Sequence, residues 1–183
     1  MRHRLYPETE TSEVGLRLDS YDDIFSDFDI RPYSGRALSV DFLEEIKRAT
    51  RDKNGNAIEL VLNVPEGKRS EFHETTIKER LTAHFGRHHR LLLEERNRVI
   101  GIGGSMVVMG ILCMVAATFI TFKDPSESLF LSFLIVFLEP AAWFLLWEGM
   151  DQIIFNSKNR TPELEFYRKM SDPNRHISFK SYS

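Results

Sequence analysis

The stretch VIGIGGSMVVMGILCMVAATFITF, residues 99–122, contains no charged side chain. As an α-helix rising about 1.5 Å per residue it would be roughly 36 Å long, which exceeds the ~30 Å hydrocarbon core of a bilayer. A second apolar run, LFLSFLIVFLEPAAWFLLWEGM, covers residues 129–150. The rest of the chain has too little apolar surface to bury two such helices inside a soluble protein. The sequence therefore predicts a mainly α-helical membrane protein with two transmembrane helices.

The segment between the two runs, residues 123–128, is short and polar, so the two helices should form an antiparallel hairpin. Basic residues decide the orientation, because short loops rich in Lys and Arg stay in the cytoplasm. The connecting segment has one basic residue, Lys123. The basic residues near the other ends of the runs are Lys78, Arg80, Arg87, Arg90, Arg96, Arg98, Lys158, Arg160, Arg168 and Lys169. We therefore expect both termini in the cytoplasm and the connecting loop outside.

The first part of the chain is polar. Residues 1–20 should be disordered or extended, with a short strand at 14–18, and their basic residues precede no apolar stretch that would indicate a signal peptide. Residues 21–38 interleave aspartates with four apolar residues, Ile24, Phe25, Phe28 and Ile30. A calcium-binding loop would need a glycine and a distal glutamate at fixed spacing, which this segment lacks. We expect an extended segment that docks its aromatic side chains.

Residues 21–98 predict a small cytoplasmic helix–strand–helix module of α+β type. A helix should begin near Ser39 or Asp41 and end before the turn signal at 52–55. Residues 57–64 alternate in hydrophobicity, which predicts a strand. A long helix should follow and run without a break into the first apolar run.

A single strand leaves its backbone groups unpaired, so the strand at 57–64 needs a partner. The candidates are the segment 14–18, the segment 28–33, or the same strand of another protomer. In the tail, residues 151–183, Thr161 and Pro162 indicate the start of a short helix, and residues 171–183 are expected to be disordered.

Small residues recur every seven positions in the first apolar run, at Gly103, Gly110 and Ala117. Such a stripe lets a second helix approach closely in lipid. The Gly-Ile-Gly-Gly sequence at 101–104 also resembles the start of a phosphate-binding loop, but it lacks the third glycine and a preceding strand. Helix packing is therefore the preferred interpretation.

Glu139 lies near the middle of the second run and is followed by Pro140. An acidic residue at that depth costs ~2.5–3.5 kcal/mol on insertion scales, and neither run contains Lys, Arg or His. The carboxyl must be protonated, bonded to the backbone carbonyl that Pro140 leaves free, or covered by a polar interface between protomers. A local helix-kink device and a proton or ion pathway both remain open.

Two further groups of polar residues attract notice. Glu148 and Asp151 share a helix face near the cytoplasmic boundary, where ion pairs with Arg96 and Arg98 are the preferred interpretation.

His84 and His88 are four residues apart, a spacing that can bind a metal on a helix. The histidines lack a cysteine or carboxylate at matching spacing, so a solvated interfacial face is preferred.

Composition narrows the function classes. The net charge of −3 gives no basic field for nucleic acid, and the single cysteine, Cys113, cannot form an intrachain disulfide. No metal motif, glycine-rich phosphate loop or nucleophile–base set of useful specificity is present, so we predict no cofactor and no enzymatic activity.

Three stretches carry a resemblance to a known family: FDIRPYS at 28–34, ALS with DFL at 37–43, and LWE with Asp151 at 146–151. They resemble an uncharacterised prokaryotic family of small two-span membrane proteins with a cytoplasmic N-terminal domain, over roughly residues 22–156. The family pattern has a proline after the Trp-Glu pair, where this chain has Gly149. The resemblance implies a protein of the prokaryotic inner membrane and nothing about its activity.

Together these observations predict a non-enzymatic integral membrane protein that self-associates through its spans and its cytoplasmic module. Its expected partners are the lipid bilayer and further copies of the chain, and a protein partner on the cytoplasmic side stays open. The first alternative is an oligomeric ion or proton channel that uses Glu139. The second is a membrane-bound enzyme.

Overall fold

The computed structural model describes residues 11–51, 57–123, 128–156, 158, 161–172 and 176–183. The helices are α1 (Val40–Arg51), α2 (Glu71–Lys123), α3 (Leu129–Asp151), which continues as a π-helical turn over Gln152–Asn156, and α4 (Thr161–Ser171). The strands are β1 (Thr11–Arg17), β2 (Ala57–Pro65) and β3 (His176–Tyr182). The chain divides into two compact units. The sheet unit comprises Met1–Arg90 and Glu163–Ser183, and the hairpin unit comprises Leu91–Pro162.

The sheet unit is built on a three-stranded parallel sheet in the order β1-β2-β3, with β2 in the centre. The segment 14–18 is thus confirmed as a partner of the strand at 57–64, because it lies largely within β1. The second partner is β3, so the expectation that residues 171–183 are disordered is wrong for 176–182. Since both neighbours of β2 come from its own chain, this strand no longer argues for pairing with another protomer.

The alternation predicted for β2 accounts for the core. Its even-numbered residues from Ile58 to Val64 are fully buried. The helices of the same unit bury a further set of apolar side chains, which are Phe42, Ile46, Ile77, Leu81, Phe85, Leu164, Phe166 and Met170. Full burial of each large side chain contributes roughly 1.5–3 kcal/mol. The start of α1 agrees with the Ser39 alternative, because the Ser39 hydroxyl accepts a hydrogen bond from the Phe42 N–H at 3.5 Å.

On the other face of the sheet, two contacts reach from β1 to β3 across β2. Lys180 Nζ lies 3.2 Å from Glu13 Oε1, and the Arg17 guanidinium lies 4.2 Å from the centre of the Tyr182 ring. Beneath them Val61 is only 1% exposed. The carboxyl-terminal strand is therefore held both by backbone pairing and by side chains from the opposite edge.

The aspartate-rich segment is only partly docked. It begins with a 3-10 turn at Tyr21–Ile24, and Ile24 and Phe25 are buried. Phe28 and Ile30, by contrast, are 99% and 98% exposed, so the expectation that this segment docks its aromatic side chains is wrong for Phe28. The reason lies in Asp29 between them, whose carboxylate accepts from the Arg31 guanidinium and from the Ala37 N–H at 2.7 Å and so fixes the loop with its neighbours outward.

The long helix α2 runs unbroken from Glu71 to Lys123, which confirms that the helix before the first apolar run continues into it. Both α2 and the helix of residues 129–156 are long and apolar enough to cross a membrane. The turn signal at 52–55 and most of the connecting loop at 123–128 lie outside the described residues.

Candidate functional site

The two apolar helices cross in the hairpin unit at two glycines. A Cβ atom built on Gly103 would lie 2.8 Å from the Gly149 carbonyl oxygen, and one built on Gly149 would lie 2.7 Å from the Gly103 carbonyl oxygen. Real Cβ atoms do not come this close to a backbone oxygen. The backbones of α2 and α3 are therefore in direct contact, which is possible only because neither residue has a side chain.

The rest of the small-residue stripe also faces α3 of the same chain. A Cβ on Gly110 would meet the Leu146 side chain at 2.9 Å and the Ala142 carbonyl oxygen at 3.0 Å. Ala117, one repeat further along, is 3% exposed, and Ala142 is fully buried. The structure thus places the stripe inside the hairpin, where it is not open to a second protomer.

Sequence reasoning did not find the α3 half of this crossing. Gly149 and Ala142 are seven residues apart, the same spacing as in the α2 stripe. This spacing is the sequence signal that could have identified the face of α3 at the crossing, but the bulky residues around it make it inconspicuous.

Glu139 and Pro140 lie on the outer surface of the helix pair. Both are exposed, and α3 continues through the proline without interruption. Within the part of the chain that the structure describes, the Glu139 carboxyl makes no hydrogen bond and no ion pair. Its neighbours at helical spacing are also exposed, and together they form what we call the Glu139 face, made up of Ser132, Val136, Glu139 and Trp143.

At the end of α3 a polar ladder follows the helix into the π-helical turn. Gln152 Nε2 donates to Glu148 Oε1 at 3.0 Å, and Asn156 Nδ2 donates to Gln152 Oε1 at 2.8 Å. The expected ion pairs of Glu148 and Asp151 with Arg96 or Arg98 are not formed among the described residues, and Glu148 instead accepts a hydrogen bond along its own helix. The Nε atom of Arg96 is itself buried without a hydrogen-bond partner there.

The histidines lie in the sheet unit, against α4. The rings of His84 and His88 are 4.2 Å apart, and His88 stacks on Tyr167 at 5.3 Å. Burial, together with the neighbouring His88 and Arg80, lowers the pKa of His84 to about 4. Across the described ranges no cluster of three or more metal-ligating side chains is found. The two histidines of α2 thus take part in an aromatic contact with Tyr167 of α4.

Comparison with known proteins gives no relative. No protein-family model matches the sequence, and no curated protein and no solved structure matches it either. What the fold defines is a class of architecture, namely a mostly helical chain that combines a small parallel sheet with two helices of membrane-spanning length.

Proposed function

We propose that this chain is a non-enzymatic integral membrane protein that crosses the bilayer twice and self-associates through the Glu139 face. The observation that carries the proposal is the position of Glu139. Its carboxyl is in the middle of an apolar helix, is exposed, and has no partner among the described residues.

A second copy of the chain is favoured on electrostatic grounds. A carboxyl that faces hydrocarbon at this depth is costly unless a polar group covers it. No basic side chain in either apolar run can do so. A symmetric pair of chains would solve the problem, since it brings the carboxyl and the Ser132 hydroxyl of one protomer against the same groups of the other.

The small-residue stripe bears on which surface is left for self-association. Because Gly103 and Gly110 pack inside the hairpin, they hold the two spans of one chain together. Self-association therefore has to use another surface, and the Glu139 face is an exposed surface of α3 that carries an ionisable group.

Cysteine cross-linking in native membranes tests the proposal. The single cysteine is first removed by Cys113→Ser, and a new one is then introduced as Ser132→Cys on the Glu139 face. The matched control is Phe137→Cys, an exposed position on another side of the same helix. We expect disulfide-linked dimers for Ser132→Cys at several times the yield of the control. Equal yields would contradict association through this face.

The orientation forms part of the same proposal. The excess of basic residues outside the connecting loop favours an orientation with both termini in the cytoplasm. A reporter fused after Ser183 should be active only as a cytoplasmic reporter, and periplasmic activity there would overturn the two-span arrangement.

An ion or proton channel is the second candidate, and the same carboxyl favours it, because intramembrane acidic residues frequently mark ion pathways. The two candidates differ in what happens when Glu139 can no longer ionise. A membrane-bound enzyme is a more distant alternative, for which we identify no catalytic group among the described residues.

A further inference from the structure

A groove in the sheet unit lies between the loop of residues 31–36 and the first turns of α2. Its volume is about 480 Å³, which is within the usual range of small-molecule sites. Most of the side chains that line it are aromatic or polar, and they include Asp22, Arg31, Tyr33, Arg36, Phe72 and His73. We propose that this groove binds a small anion that carries a planar ring.

The aromatic wall of the groove is fixed in place. The Tyr33 ring stacks on the buried Phe25 at 5.0 Å and meets the His73 ring edge-on at 5.3 Å. Phe72 lies on the groove as well and is 77% exposed, although it is large and apolar. A planar ligand ring would cover this exposed face and gain both burial and stacking.

The charged groups are equally well fixed. The Arg36 side chain is only 14% exposed, and its guanidinium donates to Asp22 and to the Ser26 carbonyl oxygen. The Arg31 guanidinium donates to both carboxylate oxygens of Asp29. Because these hydrogen bonds hold the side chains in place, little conformational entropy would be lost on binding a ligand.

Each of the two arginines has N–H donors that are not used within the protein. Among the described residues, Arg31 Nη1 and Arg36 Nη2 donate to no protein atom, whereas the other guanidinium nitrogens are bonded. The charged side chains on the lining are these two arginines and Asp22, and Asp29 beside them pairs with Arg31, so an anion would be recognised by the free N–H groups of the arginines and not by an excess of positive charge. A carboxylate or phosphate is therefore the complementary group, because it accepts charge-assisted hydrogen bonds from guanidinium.

The test uses calorimetric titration of the full chain in detergent with phenyl phosphate and with benzoate, which distinguish the two anionic groups. Phenol and inorganic phosphate serve as controls that carry only the ring or only the anionic group of phenyl phosphate. We expect at least one of the two ring-bearing anions to bind with a Kd of about 1 mM or tighter, and each control to bind about tenfold more weakly. Absence of binding at about 10 mM, or equal binding of a control, would overturn the proposal.

Variants locate the site. Phe72→Ala and Arg31→Gln should each weaken binding about fivefold or more, which is on the order of 1 kcal/mol. The matched controls are Phe28→Ala, which removes a 99% exposed ring outside the groove, and Arg48→Gln, which removes a 79% exposed guanidinium on α1. Equal losses in variants and controls would place the ligand elsewhere.

A measurement on the unaltered protein covers the case in which a groove variant folds poorly. Phenylglyoxal modifies exposed guanidinium groups, and both Arg31 and Arg48 are exposed enough to react. The ligand that binds should slow the modification of Arg31 severalfold and leave Arg48 unaffected. Equal rates at Arg31 with and without ligand would refute binding in the groove.

Discussion

Gly103 and Gly149 meet backbone to backbone where α2 crosses α3, with each glycine occupying the place that a Cβ on the other would need. An alanine at position 149 would put its Cβ 2.7 Å from a carbonyl oxygen and 3.0 Å from the Val107 nitrogen. Neither backbone atom can move aside alone, so the helices must separate. The close approach is therefore a requirement on the sequence at both positions.

The first prediction is that Gly149→Ala destabilises the hairpin by about 1–3 kcal/mol, the usual cost of forcing extra atoms into a packed contact. The measurement is SDS titration of the full chain in mild detergent, followed by tryptophan fluorescence, since Trp143 and Trp147 are the two tryptophans and both lie on α3. Gly104→Ala is the control, because a Cβ there meets nothing within 4 Å. A loss of the same size in the control would contradict the crossing.

The second prediction concerns a buried ion pair. The Glu74 side chain is 9% exposed and accepts from Arg69 Nε at 2.8 Å and from the Tyr21 hydroxyl at 2.9 Å. The Arg69 hydrogen bonds hold the pKa of Glu74 below its usual value despite burial. Glu74→Gln should therefore lower the free energy of unfolding by about 1–3 kcal/mol at pH 7.

The effect of Glu74→Gln on the free energy of unfolding should depend on pH. Because the folded-state pKa of Glu74 is lowered, its stabilisation is present above the unfolded value near 4.5 and is lost as the pH falls through the folded pKa. Urea unfolding at pH 7 and at pH 3 should thus show a smaller deficit for Glu74→Gln at the lower pH. Glu71→Gln, at an exposed position one turn earlier in α2, should change little at either pH.

These cases show how far the sequence determines the fold. The strand at 57–64 and the apolar runs could be predicted because each is specified by local periodicity. The strand β3 could not, although Ile177 and Phe179 alternate with polar residues. It is short and terminal, and its parallel partner lies more than a hundred residues away in the chain, so nothing local indicates which strand it joins.

The candidate site divides in the same way. The spacing of Gly103 and Gly110 identifies one face of α2 from the sequence alone. Which face of α3 meets it depends on the crossing angle and the register between the helices, which are properties of the folded pair. The contact of Gly149 with Gly103 is therefore seen only in the structure, which also shows that the stripe joins two helices of one chain.

The third prediction tests whether β3 is a working part of the sheet unit. Phe179 is 8% exposed and packs edge-on against the Tyr21 ring at 5.8 Å. Phe179→Ala should cost about 3–5 kcal/mol in the free energy of unfolding, as for other buried phenylalanines. Phe28→Ala, at the 99% exposed position, should change it by less than about 0.5 kcal/mol. If both variants unfold alike, the carboxyl-terminal strand contributes nothing.

The fourth prediction is an acid-sensitive contact at His84. Its folded-state pKa of about 4 is below the unfolded value of 6.5, because burial and then His88 and Arg80 disfavour the charged ring. The unfolded chain therefore binds the proton more readily, and the melting temperature should fall as the pH is lowered from 6.5 to 4. His84→Phe should make the melting curve less dependent on pH in this window, whereas His176→Gln, at an exposed position on β3, should leave the dependence unchanged.

The last prediction separates the two functions proposed for Glu139. Glu139→Gln keeps a hydrogen-bonding side chain that cannot ionise, while Glu139→Leu removes the polar group altogether. If the carboxyl joins protomers, the particle mass in detergent should stay nearly the same for Gln and fall for Leu, because only the polar contact is needed to cover the site. Phe137→Leu, at an exposed position on another side of α3, should leave the mass unchanged.

A conducting carboxyl would behave differently, because it must gain and lose a proton or bind a cation. Glu139→Gln would then abolish the flux of protons or cations into reconstituted vesicles without changing the particle mass. We expect instead that vesicles with the unaltered chain show no flux above protein-free vesicles. Strong flux that Glu139→Gln abolishes would refute the structural role and establish the channel, since in that outcome it is the ionisation of this carboxyl, and not its polarity, that the protein requires.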